Sequence, residues 1–263
     1  MDILKVADDF MRILKLDTEP VAVKLLKNKN SAKSRIVKKP INVCQLVANA
    51  RHQQRTSTGV PEHMVCALGA AALGLINTPE AMIDGTAAVN KYTKTAEAGR
   101  EFFKNTYKIG DNGKKFEAAE IGPLRKHEDY DVFVVYANPG QMLGLIHANS
   151  YLNGAMVKAD TVAEGALCSA IGFAFGEQKP IVGIPCAGDR RFASTQHSEL
   201  VFAAPMKDLE RIHGSLLDLF NLGPIFPVPP MVDYETKMPK LYTLGEKDLT
   251  WYLIYLKQPL FYF

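Results

Sequence analysis

Short apolar segments of strand-like composition alternate with helical patterns along this chain, and the alternation favours a mixed α/β fold. Runs of branched and aromatic residues predict strands at 21–26, 131–136, 180–185 and 199–204. Apolar residues at helical spacing predict helices at 3–14, 45–54, 66–76, 141–151, 164–176 and 206–220. Residues 186–191 are predicted to form a loop, and residues 111–113 have the turn chemistry of a hairpin.

A weak internal repeat suggests that the fold has two similar parts. Cys66 and Cys168 each open a predicted helix of small residues, and a glycine follows at the same interval in both, at Gly74 and Gly176. Either a duplication or chance in Gly- and Ala-rich helices explains the match. A duplication predicts two similar mixed α/β halves related by a pseudo-twofold axis, with a cleft between them where ligands commonly bind.

The predicted organisation is one compact domain followed by a tail. Residues 1–223 form the domain, with the halves at about 18–90 and 130–214 and a polar insertion at about 91–130. Residues 224–263 are predicted to be a Pro-rich extended segment and an apolar C-terminal tail. The tail either docks on the core or contacts a second copy of the chain, so a homo-oligomer is one expectation.

Charge and composition exclude several classes of protein. The 31 Lys and Arg and 28 Asp and Glu give a formal net charge of +3, which argues against a dedicated nucleic-acid binder. Four cysteines are too few for a secreted disulfide scaffold. The sequence starts without a signal-peptide pattern, and its longest run of low polarity, 64–76, is shorter than the about 18 residues of a membrane span. We therefore expect a cytoplasmic protein without a membrane span, whose thiols stay reduced.

The cysteines are the strongest candidates for chemistry. All four lie at predicted turns or helix starts, where backbone N–H groups stabilise a thiolate: Cys44, Cys66, Cys168 and Cys186. Four cysteines are a common ligand set for iron–sulfur clusters, so these four are predicted to bind one [4Fe–4S] cluster as cofactor. Two alternatives stay open. The four are small apolar core residues, or His63 joins Cys44 and Cys66 in a zinc site.

A second candidate site follows the predicted strand 180–185. Gly188 permits a tight loop, and the side chains of Asp189, Arg190 and Arg191 come directly after it. Because guanidinium groups bind carboxylate or phosphate through two hydrogen bonds, these four residues are predicted to bind an anionic ligand. We expect one arginine to face the cleft and the other to pair with Asp189 or Glu199, since neighbouring side chains diverge on an extended segment.

A basic segment lies between Val21 and Pro40 and contains no acid. Its cations are Lys24, Lys27, Lys29, Lys33, Arg35, Lys38 and Lys39. Such a segment attracts anionic partners or is simply a solvated loop. No aromatic residue is interleaved to stack on bases, so nucleic-acid binding is not expected.

Several pieces of the sequence together resemble one known family. They are Cys44-Gln45, Cys66-Ala67-Leu68-Gly69-Ala70-Ala71, Asn138-Pro139-Gly140-Gln141, Cys168 and Pro185-Cys186-Ala187-Gly188-Asp189-Arg190-Arg191. Over about 19–239 the chain resembles the domain-of-unknown-function 169 family of uncharacterised prokaryotic proteins. The resemblance implies that the four cysteines belong to the family's pattern, and it implies no reaction.

Two functions from different classes follow from these residues. The leading hypothesis is a cofactor-binding protein whose iron–sulfur cluster serves redox or accessory chemistry, with a redox partner protein. The alternative is a metal-free protein that binds a small anionic ligand in the cleft against the Gly-Asp-Arg-Arg segment. Whether the protein is an enzyme stays open.

Overall fold

Nine α-helices and seven strands make up the part of the chain that the computed structural model describes, residues 1–110 and 113–223. The strands are β1 (Val21–Leu26), β2 (Ser57–Gly59), β3 (Ala118–Pro123), β4 (Val132–Ala137), β5 (Lys158–Asp160), β6 (Ile181–Gly183) and β7 (Leu200–Pro205). The helices are α1 (Ile3–Leu14), α2 (Val43–Gln53), α3 (Ala67–Ala72), α4 (Glu80–Ile83), α5 (Ala96–Asn105), α6 (Pro139–Ser150), α7 (Ala166–Gly176), α8 (Ala187–Phe192) and α9 (Leu209–Leu222). The predicted mixed α/β class is confirmed.

The strands form one mixed sheet in the order β2-β3-β1-β4-β7-β6-β5. Neighbouring strands are antiparallel except β5 and β6, which are parallel. β1 lies near the middle, with Val23 opposite Ile121 of β3 and Val132 of β4. Three of the four predicted strands, β1, β4 and β7, form adjacent central or near-central strands.

Helices cover both faces of the sheet because successive side chains of each strand point to opposite faces. On β4, Val132 and Val134 pack with α2, α3 and α7, whereas Phe133 and Val135 pack with α1, α6 and α9. Each face therefore has its own apolar core, and the protein has three layers. All four cysteine-bearing segments lie on the α2, α3 and α7 face.

Side-chain caps determine where the helices beside the sheet begin. Asn42 accepts a hydrogen bond from the backbone N–H of Gln45, whose side chain accepts one from the backbone N–H of Asn42. Asn138 and Gln141 repeat this capping box at the start of α6. Each box satisfies two backbone donors that a helix N-terminus otherwise leaves free. The first box places Cys44 in the first turn of α2.

Two predictions of local structure are wrong. Residues 187–192 form α8 instead of a loop, so Gly188 lies inside a helical turn. The segment predicted as a polar insertion, about 91–130, supplies β3, every residue of which is buried in the sheet. Ala, Gly and Pro are poor strand formers, and pairing with β1 and β2 overrides that preference in 118–123.

The pseudo-twofold relation between two halves is not confirmed. The same repeat pairs the segments that begin at Cys44-Gln45 and Gly140-Gln141, which follow β1 and β4 and lie in α2 and α6. Helices α3 and α7 lie on the same face of the sheet, whereas α2 and α6 lie on opposite faces. A single twofold rotation of the sheet would either leave both members of every matched pair on the same face or place them on opposite faces in every pair. The sheet therefore offers no simple axis that relates all the matched helices.

Two further predictions concern residues outside the described part of the chain. The hairpin turn includes residues 111–112, and the Pro-rich segment and apolar tail are residues 224–263. Among the described residues, none of the helices combines the length and apolar character needed to cross a membrane.

We expect the strand that the sequence pattern missed to be essential for stability. Ile121 of β3 is fully buried in the core below α2, so Ile121→Ala should lower the free energy of unfolding by about 2–5 kcal/mol, through lost apolar contact and a cavity. Urea unfolding measures the change. Leu4→Ala on α1 is the control, because Leu4 is half exposed and should cost only about 0.5 kcal/mol. Equal losses in both variants would contradict the central position of β3.

Candidate functional site

The four cysteines come from four separate elements that meet on one face of the sheet. Cys44 lies in the first turn of α2, and Cys66 is the residue that precedes α3. Cys168 lies in the first turn of α7, and Cys186 precedes α8. All four thiols are free; Cys168 and Cys186 are buried, Cys44 is half-buried and Cys66 is exposed. The predicted placement at a helix start is correct for Cys44, Cys66 and Cys168, and Cys186, which was predicted to begin a loop, precedes a helix as well.

Cys168 is the centre of this group. Its thiol hydrogen bonds to the sulfur of Cys44, and this contact, burial and the nearby sulfurs of Cys44, Cys66 and Cys186 raise its pKa well above the usual value. The other three cysteines thus all lie within electrostatic range of one buried thiol. Residues more than 100 positions apart in the sequence, such as Cys44 and Cys168, are brought into direct contact.

Backbone N–H groups point at two of the sulfurs. The sulfur of Cys66 accepts a hydrogen bond from the N–H of Gly69 at 3.4 Å. Hydrogen bonds from the N–H groups of Asp189, Gly165 and Ala166 lower the pKa of Cys186. In both cysteines burial is the larger effect and raises the pKa. Without a cation bound, these thiols therefore stay protonated at neutral pH.

Two glycines permit α3 and α7 to approach each other closely at the cysteines. A Cβ at Gly69 would lie 3.1 Å from the sulfur of Cys168 and 3.7 Å from that of Cys66. Gly165, at a φ of 71°, starts α7, and a Cβ there would lie 2.9 Å from a methyl group of Leu68. The backbone of Gly69 is therefore packed closely against the sulfurs of Cys66 and Cys168, and a side chain there would crowd them.

The sequence pattern missed Glu164 and Tyr92, which also lie beside the cysteines. The negative charge of Glu164 raises the pKa of Cys66 and of Cys186. Burial, Glu164 and the two cysteines together raise the pKa of the Tyr92 phenol. Neither residue belongs to a recognisable motif, so no sequence signal was available to find them.

A buried network of polar side chains joins the elements that carry two of the cysteines. The Tyr136 hydroxyl donates to both carboxylate oxygens of Asp189, at 2.9 and 3.0 Å. The guanidinium of Arg51 lies 3.5 Å from the centre of the Tyr136 ring and forms a buried ion pair with Glu199. Arg51 also donates to Thr18 at 3.0 Å. Because these residues come from α2, β4, α8 and the segment before β7, the network ties together the elements that carry Cys44 and Cys186.

The structure separates the residues of the predicted anion site. Asp189 is fully buried and bound by Tyr136, whereas Arg190 donates to the backbone carbonyl of Gln196 at 2.7 Å. Arg191 is exposed, with its guanidinium 5.7 Å from the ring of Phe192. The expected pairing of one of these arginines with Asp189 or Glu199 is wrong, because Arg51 takes Glu199. Binding of an anion by Gly188, Asp189, Arg190 and Arg191 stays a prediction.

His63, the histidine of the zinc alternative, lies at the end of the 3₁₀ helix Pro61–His63, a few residues before Cys66. Its backbone carbonyl accepts a hydrogen bond from Ile41 at 2.9 Å. Within residues 1–110 and 113–223, no group of three or more His, Cys, Asp and Glu side chains is arranged so that it could hold a metal ion. The zinc site and the iron–sulfur cluster both stay predictions.

Comparison with known proteins finds relatives but no characterised activity. The model of the DUF169 family, described as "Uncharacterised ArCR", matches residues 9–214. An uncharacterised protein of Methanocaldococcus jannaschii, MJ0308, is 26% identical over 212 residues, which cover 78% of this chain and 90% of the relative. No solved structure matches the chain.

The buried network predicts a pH dependence of stability. Burial raises the pKa of Asp189 from its ordinary value of 3.8 to about 6, against the opposing effect of the Tyr136 hydrogen bond. The folded protein therefore holds this proton more tightly than the unfolded chain. The resulting stabilisation is complete below about pH 4 and is lost as the pH rises through about 6.

Asp189→Asn should remove the loss of stability with rising pH, because the amide has nearly the same shape as the carboxyl group and no charge. Relative to the unaltered protein, its free energy of unfolding should rise between about pH 4 and pH 7, by at most on the order of 3 kcal/mol. Urea unfolding at a series of pH values measures the difference. Tyr136→Phe removes a hydrogen bond that stabilises the carboxylate, so it should move the transition to higher pH. Parallel pH curves for the unaltered protein and Asp189→Asn would show that the carboxyl group does not titrate in this range.

Proposed function

The chain belongs to the domain-of-unknown-function 169 family, and from its four cysteines we propose that it binds one [4Fe–4S] cluster for redox or accessory chemistry. The ligands are Cys44, Cys66, Cys168 and Cys186. The observation that carries the proposal is their convergence: Cys44 is hydrogen bonded to the buried thiol of Cys168, and Cys66 and Cys186 lie within electrostatic range of it. A cluster of this type supplies one-electron transfer when bound.

The donor set fits such a cluster. Iron–sulfur clusters are bound by thiolates, and N–H groups directed at the sulfurs stabilise their negative charge. The sulfurs of Cys66 and Cys186 both accept such hydrogen bonds. A four-iron cluster keeps its cysteine sulfurs roughly 6–7 Å apart, which is farther than the ligand atoms around one zinc ion. Because the thiols of Cys44 and Cys168 are in hydrogen-bond contact, these two sulfurs would have to move apart to hold a cluster.

The chain also provides space and electrostatic balance for the ligands. The absence of a side chain at Gly69 lets α3 approach the sulfurs of Cys66 and Cys168, and a Cβ there would crowd them. Burial of Cys168 and Cys186 excludes water from one side of the group, while exposed Cys66 leaves the other side accessible. Electrons would enter or leave on the Cys66 side. The exposed apolar side chains of Val65 and Ile184, which are close in sequence to ligands, are suitable contacts for a redox partner protein.

Metal analysis of protein purified without oxygen tests the proposal. We expect a brown protein with about four iron and four acid-labile sulfide atoms per chain. Replacing any one of the four cysteines by Ser should reduce the iron content and the melting temperature together, because ligation is coupled to folding. His63→Ala is the matched control and should keep its iron. Stoichiometric zinc that His63→Ala removes would establish the zinc alternative in place of the cluster.

Replacement of Gly69 tests the site without removing a ligand. Gly69→Ala places a methyl group between the sulfurs of Cys66 and Cys168, so it should reduce iron content at least severalfold while circular dichroism stays unchanged. Gly214→Ala is the control, since a Cβ at Gly214 of α9 meets nothing within 4 Å. Full iron content in Gly69→Ala would mean that the cluster does not lie between these two sulfurs.

A further inference from the structure

A cationic cavity lies beside α2, on the side of the basic segment. Its volume is about 710 Å³, which falls in the range of small-molecule sites. Arg35, Lys38, Lys39 and Arg55 line it together with the neutral polar side chains of Asn49, Gln53, Thr56 and Ser57. Within the described part of the chain, its lining carries four positive charges and no negative charge.

The cations of the basic segment, and Arg55 at the end of α2, differ in whether a carboxylate balances their charge. Lys24, Lys29 and Lys33 form ion pairs with Asp131, Glu62 and Asp129, so their charges are balanced. Arg35, Lys38, Lys39 and Arg55 have no carboxylate within ion-pair distance among residues 1–110 and 113–223. Lys27, which does not line the cavity, has no such partner in this part of the chain either, so what distinguishes the other four cations is that they share one concave surface.

Backbone pairing holds the walls of the cavity in place. The N–H of Val37 donates to the carbonyl of Thr58 at 2.8 Å, and the N–H of Thr58 donates to the carbonyl of Arg35 at 3.1 Å. The segment 35–37 therefore lies beside β2 and is joined to it by a single parallel bridge, Ile36 to Thr58. Arg35 and Val37, two positions apart, share one face of this segment, and Ile36 points to the other. The N–H of Arg55 is bound to the carbonyl of Asn49 at 3.1 Å, which fixes the opposite wall on α2.

The lining residues define the chemistry of the ligand. Two guanidinium groups offer paired donors that suit phosphate oxygens, and the two lysines add charge. The amides and hydroxyls of Asn49, Gln53, Thr56 and Ser57 suit further polar groups. None of the lining residues is aromatic, so the cavity provides no surface on which a nucleobase stacks. A concave site of this kind favours a small molecule over a nucleic-acid strand.

We propose that this cavity binds a small phosphate-bearing molecule with two or more negative charges, held by Arg35 and Arg55 with support from Lys38 and Lys39. The site is separate from the cysteines and does not depend on the cluster proposed above. It also differs from the Gly188–Arg191 segment, whose two arginines lie elsewhere. Because α2 carries Cys44 near one end and Asn49 and Gln53 farther along, a bound anion contacts the same helix as the cysteine group.

Isothermal titration calorimetry of the full chain with inorganic pyrophosphate tests this proposal. We expect saturable one-to-one binding at moderate ionic strength, weakened about tenfold or more by Arg35→Gln and by Arg55→Gln. Lys27→Gln is the matched control: it removes the same charge from the same basic segment, but Lys27 does not line the cavity. The control should bind as tightly as the unaltered protein. Because both arginines are exposed, the variants should fold, and circular dichroism verifies this.

Four results would overturn the proposal. The absence of saturable binding would remove the site, and an equal loss in Lys27→Gln would show attraction by general charge alone. Citrate that binds more tightly than pyrophosphate would assign the cavity to polycarboxylates. Single-stranded RNA that binds more tightly than pyrophosphate and competes with it would assign the surface to nucleic acid. Retention of binding by a Lys38→Gln, Lys39→Gln double variant, at reduced affinity, would agree with the supporting role of the lysines.

Discussion

The buried guanidinium of Arg51 is the interaction on which the candidate site depends. It is paired with Glu199, lies against the ring of Tyr136 and donates to Thr18, so four separate parts of the chain meet at one side chain. Breaking a buried ion pair from one side typically costs about 3–5 kcal/mol, because the remaining charge is left without a partner. Such a contact specifies how α2 is placed over the sheet far more strictly than apolar packing does.

The charges in this network influence the protonation of the neighbouring Asp189. Arg51 is paired with Glu199, and the Asp189 carboxyl group is held by hydrogen bonds to Tyr136 and Thr195. Burial outweighs these hydrogen bonds and the attraction of Arg51, so it favours the neutral form of Asp189 and raises its pKa. Asp189 lies in the first turn of α8, and its backbone N–H binds the sulfur of Cys186. The network therefore positions a cysteine as well as a helix.

Helix α2 connects the two sites that the structure indicates. Cys44 lies in its first turn, and Gln53 ends it at the cationic cavity, about 14 Å away at 1.5 Å per residue. Arg51, between them, anchors the helix to the sheet. Helix α2 thus contributes residues to the thiol group, to the buried network and to the cavity. A change in the position of α2 would move residues at all three places.

Local patterns predicted much of the secondary structure and little of the arrangement. Strands β1, β4 and β7 were predictable because their branched and aromatic residues favour extended backbone. Strand β3 was not, since Ala118, Ala119, Gly122 and Pro123 become a strand only between two partners. The loop predicted at 186–191 is a helix because Asp189 is bound by Tyr136 from a distant strand, which a local reading of Gly188 does not reveal.

The sequence by itself determined the mixed α/β class, the longer helices beside the sheet and the location of Cys44, Cys66 and Cys168 near helix starts, because caps and apolar periodicity act over only a few residues. Only the tertiary structure decided that Cys44 and Cys168 are in contact and that Glu199 pairs with Arg51, and not with Arg190 or Arg191. It also decided that four cations without an ion pair among the described residues line one cavity. These contacts depend on the order of the strands in the sheet. That order is established by long-range pairing, in which residues far apart in the sequence become neighbours and no short pattern records their distance.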